Sequence, residues 1–188
     1  MNSPIEIEYL KQKTKAAFTL IELLVVIAII AVLAGLLIPA ATSALNTAKR
    51  TTAKNQVVTI AGAVSAYEAD YGRLPSNGIS TNFTPDLVNI LCTSNDAVNN
   101  PRGIIYLEAT SWKNGKGGTN ANGFCDPFNS TNPYIVVMDT TYSNMLSNLP
   151  SQSAVGGAIT YTNIIPKDVG IWTIWTNGTK TYLIDSWD

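Results

Sequence analysis

Among the residues able to do chemistry, Glu22 is the most unusual in its placing: it is the lone charged side chain between residues 18 and 45, in a run otherwise apolar, small or hydroxyl-bearing. A charge inside hydrocarbon costs at least ~2.5–3.5 kcal/mol, so a carboxylate kept there implies a partner. The bland alternative is a carboxylate near the helix start that snorkels to the membrane surface. Elsewhere the chemical repertoire is thin. The chain has no histidine, which removes the commonest general base, the commonest zinc ligand and every imidazole triad. Asp126 and Asp139 could be imagined as a hydrolytic carboxylate pair, but acidic residues flanking strands are commonly turn formers. Trp112, Trp172, Trp175 and Trp187 suggest core and sheet-face packing more than a carbohydrate or peptide site. No catalysis is expected. With a net charge of −1 and 13% charged residues there is no basic field for nucleic acid.

The elements that must position Glu22 follow from the pattern around it. Residues 18–45 exceed the ~20 apolar residues needed to cross a bilayer. Lys11, Lys13 and Lys15 precede them, so the positive-inside rule leaves the N-terminus in the cytoplasm and the rest of the chain outside. A plain signal anchor, or a signal peptide cut near Ala40 to Ala44, is the alternative, though helical character continues past that point. Beyond it, Leu45, Ala53, Val57, Ile60, Ala61, Val64, Tyr67 and Tyr71 recur at helical spacing. One helix of some 52 residues, ~80 Å at 1.5 Å per residue, is therefore expected from Phe18 to about Ala69. Its first half is apolar all round; its second carries one apolar stripe for a globular domain. Gly35 and Pro39 predict a kink, and Gly72 and Pro75 end the helix.

A short second helix over Pro85 to Cys92 follows from the cap and first-turn proline at Thr84-Pro85-Asp86. Strands are expected at 104–107, 134–138, 171–175 and 181–184, and 113–120 reads by composition as a flexible loop, with a solvated hairpin tip as the preferred reading. The fold class is α+β, a long N-terminal helix packed on a small antiparallel sheet. Cys92 and Cys125 lie in the exported part, where a disulfide persists; two thiols buried as small hydrophobes are the other reading.

Lys15-Ala16-Ala17-Phe18-Thr19-Leu20-Ile21-Glu22, with its basic leader and apolar helix, resembles the N-terminus of type IV prepilins and type II secretion pseudopilins. The stretch from Tyr67 to Pro75, the run Phe124-Cys125-Asp126-Pro127-Phe128, and the closing segment from Val169 to Trp187 are similar to major pseudopilins of type II secretion. Ala17 departs from the family's usual glycine before the cut.

The resemblance implies a leader over residues 1–17 removed by prepilin peptidase between Ala17 and Phe18, and methylation of the new Phe18 amine. It implies a membrane and assembly helix over 18–44 and a periplasmic domain over 45–188. In that family the new α-amine, cationic near neutral pH with a reference pKa of ~7.7–8.0, neutralises the matching glutamate, here Glu22, and the matching proline lets the helix stretch around Gly35 and Pro39 on assembly. The implied partners are further copies in a helical filament, minor pseudopilins and an inner-membrane assembly platform. The implied function is a secretion pseudopilus subunit, with a surface type IV pilin as runner-up and a signal-anchored periplasmic binding module as the rival from another class. Major pseudopilins also bind calcium near the C-terminus; the oxygens on hand are Asn177, Thr179, Asp185 and Asp188, with Asp185 the best single ligand and a metal-free turn the alternative.

Overall fold

The computed structural model describes residues 18–75, 83–152 and 157–187, so Ala17, the leader lysines and Asp188 lie outside the described residues. The chain falls into two units, residues 1–42 and 43–188. Helix α1, Leu20–Tyr71, contributes to both and carries the expected 52 residues.

In the first unit, every described residue is exposed except half-buried Ala34. Its Leu, Ile and Val side chains therefore cover nothing of their own chain; Leu20 is 80% and Leu36 71% exposed. Among the described residues this is the one helix long and apolar enough to cross a membrane. Pro39 sits inside the continuous helix. It has no N–H to give to the carbonyl four residues back, which belongs to Gly35, so the ladder lacks one bond at that turn.

The second unit is built on the remaining part of α1. Ala53, Val57, Ile60, Ala63, Val64 and Tyr67 form its buried stripe, at the three- and four-residue intervals that place side chains on one helix face. Leu45, expected to join them, is exposed. Helix α2 (Pro85–Cys92) has the boundaries read from its sequence and packs Leu87, Ile90 and Leu91 into the same core. Among the described residues seven strands follow: β1 (Gly118–Asn120), β2 (Gly123–Cys125), β3 (Ile135–Met138), β4 (Leu146–Gln152), β5 (Ile159–Ile165), β6 (Val169–Asn177) and β7 (Lys180–Asp185). They make three antiparallel sheets, β1-β2, β3-β6-β7 and β4-β5.

Period-two alternation in the central sheet gives it two apolar faces. Val136, Met138, Val169, Ile171 and Ile184 join the α1 core. Ile135, Val137, Trp172, Ile174 and Leu183 join a second, smaller cluster with Leu146, Leu149 and Ile165 of the β4-β5 hairpin. The sheet is thus sandwiched between α1 and that hairpin, which comes from the segment 140–168 that the sequence left without a role.

One expectation fails here for an identifiable reason. Residues 104–107 form no strand, because their backbone groups are already taken. Ile104 gives its N–H to Asn100 Oδ1 at 3.1 Å and accepts from Asn100 Nδ2 at 2.7 Å, while the Tyr106 and Leu107 N–H groups both reach Leu91 O at 2.9 Å. Asn100 is itself buried, and also accepts from the Tyr71 hydroxyl at 2.8 Å, tying α1 to this segment. Residues 113–120 are not a free loop: Lys113 and Gly117 bridge antiparallel around an exposed turn, which is the preferred hairpin-tip reading. Lys49 Nζ donates to Asn114 Oδ1 at 2.8 Å and Gln56 Nε2 to Lys116 O at 2.7 Å, docking the segment on α1, and it leads directly into β1.

The β1-β2 turn works only with glycine at position 123. Its φ is +117°, and a Cβ there would drive into the carbonyl of Phe83, which accepts the Phe124 N–H at 3.2 Å. Gly123→Ala is therefore expected to destabilise the domain by about 2–3 kcal/mol. Thermal unfolding in detergent checks this, and an unchanged midpoint contradicts it.

Candidate functional site

The start of α1 builds a reciprocal cap around Glu22. Thr19 precedes the first helical residue, Leu20. The Thr19 N–H and hydroxyl donate to Glu22 Oε2 at 2.8 and 2.7 Å, and the Glu22 N–H donates back to Thr19 Oγ1 at 3.3 Å. This capping box satisfies backbone donors that a helix start leaves without intrahelical partners. In a low-dielectric surrounding such unpaired groups are costly. Thr19 is the functional residue missing from the sequence reading, although Thr19-Leu20-Ile21-Glu22 before an apolar run has the signature of the motif. Phe18, Ile21, Glu22, Val25 and Val26 share this face and line an apolar depression of about 420 Å³ around the carboxylate. Phe18 is 72% exposed. Gly35 and Pro39 lie further along the same helix, one at each end of the turn that lacks a bond.

The other candidate residues are occupied structurally. Asp126 is buried; its Oδ1 accepts the Phe128 and Asn129 N–H groups at 2.9 Å each, and its Oδ2 accepts the Thr173 hydroxyl at 2.7 Å. Burial pushes its carboxyl above the ordinary carboxylate range. Asp139 accepts from the Thr141 hydroxyl at 2.6 Å and the Ser143 hydroxyl at 3.0 Å. These bonds, the Thr141 hydroxyl first, bring its pKa down to about 2. Both carboxylates act as turn and strand anchors.

Of the oxygens named for calcium, Asp188 lies outside the described residues, and Asn177 and Thr179 lie apart from Asp185. Asn177 pairs with Lys180 at the β6-β7 turn, so Asn177 and Thr179 sit at the opposite end of β7 from Asp185. Asp185 is buried, lies 3.5 Å from Lys54 Nζ and accepts the Trp187 N–H at 3.2 Å. Among the described residues no three His, Cys, Asp or Glu side chains group as metal ligands.

The disulfide expectation is corrected: Cys92 and Cys125 are both free thiols. Cys92 ends α2, whereas Cys125 lies in β2 with its Sγ 3.4 Å from Asn120 Oδ1. Burial pushes the Cys92 thiol up to about 11 and raises that of Cys125. They fit the reading of small hydrophobes.

The aromatic residues fill structural places. Trp172 meets Trp187 edge-on, with ring centroids 5.7 Å apart, in the second core. Trp112 Nε1 donates to Asp126 O at 2.7 Å. Phe128, Trp175 and Tyr182 stack in sequence, with centroid spacings of 4.5 and 5.1 Å, and the Arg50 guanidinium lies 4.4 Å from the centre of the Tyr182 ring.

A bare apolar helix, headed by a capped carboxylate and followed by a packed α+β domain, defines an anchored helix-and-sheet protein, and the comparisons agree with that class. Residues 12–38 match the family model described as the prokaryotic N-terminal methylation motif. The chain is 37% identical over 67 residues to the type II secretion system core protein G of Pseudomonas aeruginosa, a stretch covering 36% of this chain and 47% of that protein. The chain thus spans about half the length of the curated relative it matches. No solved structure matches the chain.

Two outcomes follow from this geometry. Thr19→Ala should remove a cap worth about 1 kcal/mol, raising amide hydrogen exchange at residues 19–23 roughly fivefold in micelles; unchanged exchange would show that the box does not hold the helix start. Asp139 supplies stability that is complete above its ordinary value of 3.8 and is lost as pH falls towards about 2. Asp126 has the opposite sign, since its raised pKa makes the protonated form the one that favours folding as pH falls. Asp139→Asn should therefore flatten the acid-side fall of the melting temperature, and Asp126→Asn should not. An unaltered slope in Asp139→Asn contradicts this assignment.

Proposed function

We propose that this chain is a structural subunit of a type II secretion pseudopilus. In this reading prepilin peptidase cuts between Ala17 and Phe18 and the new Phe18 amine is methylated. The subunit waits in the inner membrane with residues 45–188 in the periplasm. It then polymerises through its apolar helix on an assembly platform, together with minor pseudopilins. The single observation carrying this is Glu22, the lone carboxylate of the apolar helix, held at its very start by the Thr19 cap. The methylation motif over residues 12–38 and the 37% identity to a secretion-system core protein support it.

The chemistry is direct. The nitrogen that the cut would free belongs to Phe18, the residue before the Thr19 amide that already touches Glu22. A cationic amine from a neighbouring copy can replace the neutral Thr19 donors, exchanging a weaker contact for a charge-assisted one. The apolar faces of residues 18–42, which cover nothing within their own unit, then pack against other copies. The missing hydrogen bond between Pro39 and Gly35 gives this helix a turn that can lengthen as it leaves the bilayer.

Glu22→Leu should leave the protein in the membrane and cut cross-linked multimers and sheared fibres at least about tenfold, since breaking a buried charge pair is strongly destabilising. Normal assembly of Glu22→Leu overturns the polymer reading and favours a simple anchor. Fibres reaching far beyond the cell surface would instead assign the chain to a type IV pilus.

A further inference from the structure

We propose that β5 is a pairing edge at which two copies of this chain join antiparallel, strand to strand, about a two-fold axis at Thr162. The step uses nothing from residues 18–42 and goes beyond the proposed filament role.

An edge strand leaves a row of backbone N–H and C=O groups ready to pair with another strand. Folded proteins block such rows with short strands, proline, bulges, charges or covering chain. Among the described residues every other edge is blocked. Residues 110–112 cover β1, with the Thr119 N–H given to Thr110 O at 2.8 Å and the Trp112 N–H to Thr119 O at 2.9 Å. Phe83 and Tyr134 cover β2: the Phe124 N–H meets Phe83 O at 3.2 Å, and Phe124 O accepts the Tyr134 N–H at 3.0 Å. Along β7 the Gln152 side chain accepts the Leu183 N–H at 3.0 Å and donates to Thr181 O at 2.7 Å. Strand β4 carries Pro150 and two register shifts, and β3 has only four residues.

Strand β5 has none of these devices. It runs for seven residues without proline, glycine or charge, and pairs with β4 alone. Apart from β4, its backbone meets only the Lys167 N–H, which reaches Ile165 O at 3.0 Å where the strand ends. Thr160, Tyr161, Thr162 and Ile164 are exposed, Ile164 by 56%. Its β-branched and aromatic side chains favour extended backbone, so the occupant that fits this edge is another strand.

The chemistry of the strand selects a second copy. No charged side chain occurs between Asp139 and Lys167, so nothing here attracts a charged foreign strand and nothing repels an identical one. Antiparallel pairing centred on Thr162, the middle residue, uses the whole strand and sets Thr162 opposite Thr162, Thr160 opposite Ile164 and Ile159 opposite Ile165. The two Thr162 hydroxyls can then share a hydrogen bond, a favourable cross-strand contact, and Thr160 and Ile164, bare in the single copy, cover one another. The contact is the same patch on both copies, so it closes as a dimer and removes both open edges.

Sedimentation of the full chain in mild detergent tests this. The wild-type chain should form a dimer. Thr162→Lys and Thr162→Glu, at an exposed position, should each weaken it at least about fivefold, because like charges directly opposite repel across paired strands. An equimolar mixture of the two variants should restore the dimer, which misfolding of either would prevent. Glu22→Leu should leave it unchanged. A monomeric wild type, a dimer that survives both charged variants, or a mixture that stays monomeric overturns the proposal. So does loss of the dimer in Glu22→Leu, which would assign the contact to the apolar helix. A monomer whose amides at residues 160–164 become protected from exchange only in native membranes also overturns it, giving the edge to a strand of another protein. The filament reading is judged separately, by fibre assembly of Glu22→Leu.

Discussion

The domain depends on burying one stripe of α1. Val57, Ile60, Val64 and Tyr67 are wholly removed from solvent, and each such side chain contributes roughly 1.5–3 kcal/mol relative to exposure. Among the described residues there is no other long helix, and α2, the central sheet and the β1-β2 hairpin all pack against this face. Polar contacts then fix the register: Lys49 and Gln56 hold the 113–120 segment, Gln56 Oε1 accepts the Tyr134 hydroxyl at 2.6 Å, and Lys54 meets the end of β7. The second apolar face of the sheet would be left in water without the β4-β5 hairpin, which supplies Leu146, Leu149 and Ile165 to cover it.

The same helix meets the opposite constraint before residue 43. There its apolar side chains have no partner within their unit, and so large an apolar surface marks a membrane or protein contact. Within such a surface one carboxylate needs a donor at all times. The Thr19 cap provides it in the single subunit, and the proposed filament provides a stronger one. The cap therefore makes Glu22 tolerable before assembly without using up its capacity to pair with a cation.

Much of this was legible in the sequence because it rests on periodicity. The 52-residue helix, the second helix at Pro85–Cys92 and strands β3, β6 and β7 follow from helical spacing, a first-turn proline and runs of β-branched and aromatic residues. What escaped rests on tertiary partners. Residues 104–107 have strand-forming side chains, but Asn100 and Leu91 claim their backbone groups. The β1-β2 hairpin is rich in glycine and asparagine, and β4 contains Pro150, so neither carries a strand signal. At the functional end, Glu22 stood out by its charge alone. Thr19 was equally legible through the capping pattern, yet a threonine in an apolar run attracts no notice until its bonds are seen. The free thiols Cys92 and Cys125, and the separation of Asn177 and Thr179 from Asp185, depend on three-dimensional placement that residue counts do not give.

The central claim is that cleavage creates the cation for which Glu22 is kept. Intact mass with N-terminal fragmentation, on protein recovered from native membranes, tests it most directly. The account predicts a chain beginning at Phe18 with one added methyl group. A chain that retains Met1, or that begins near Thr42, would contradict it, leaving Glu22 without its partner and the helix as a plain anchor or a removed signal.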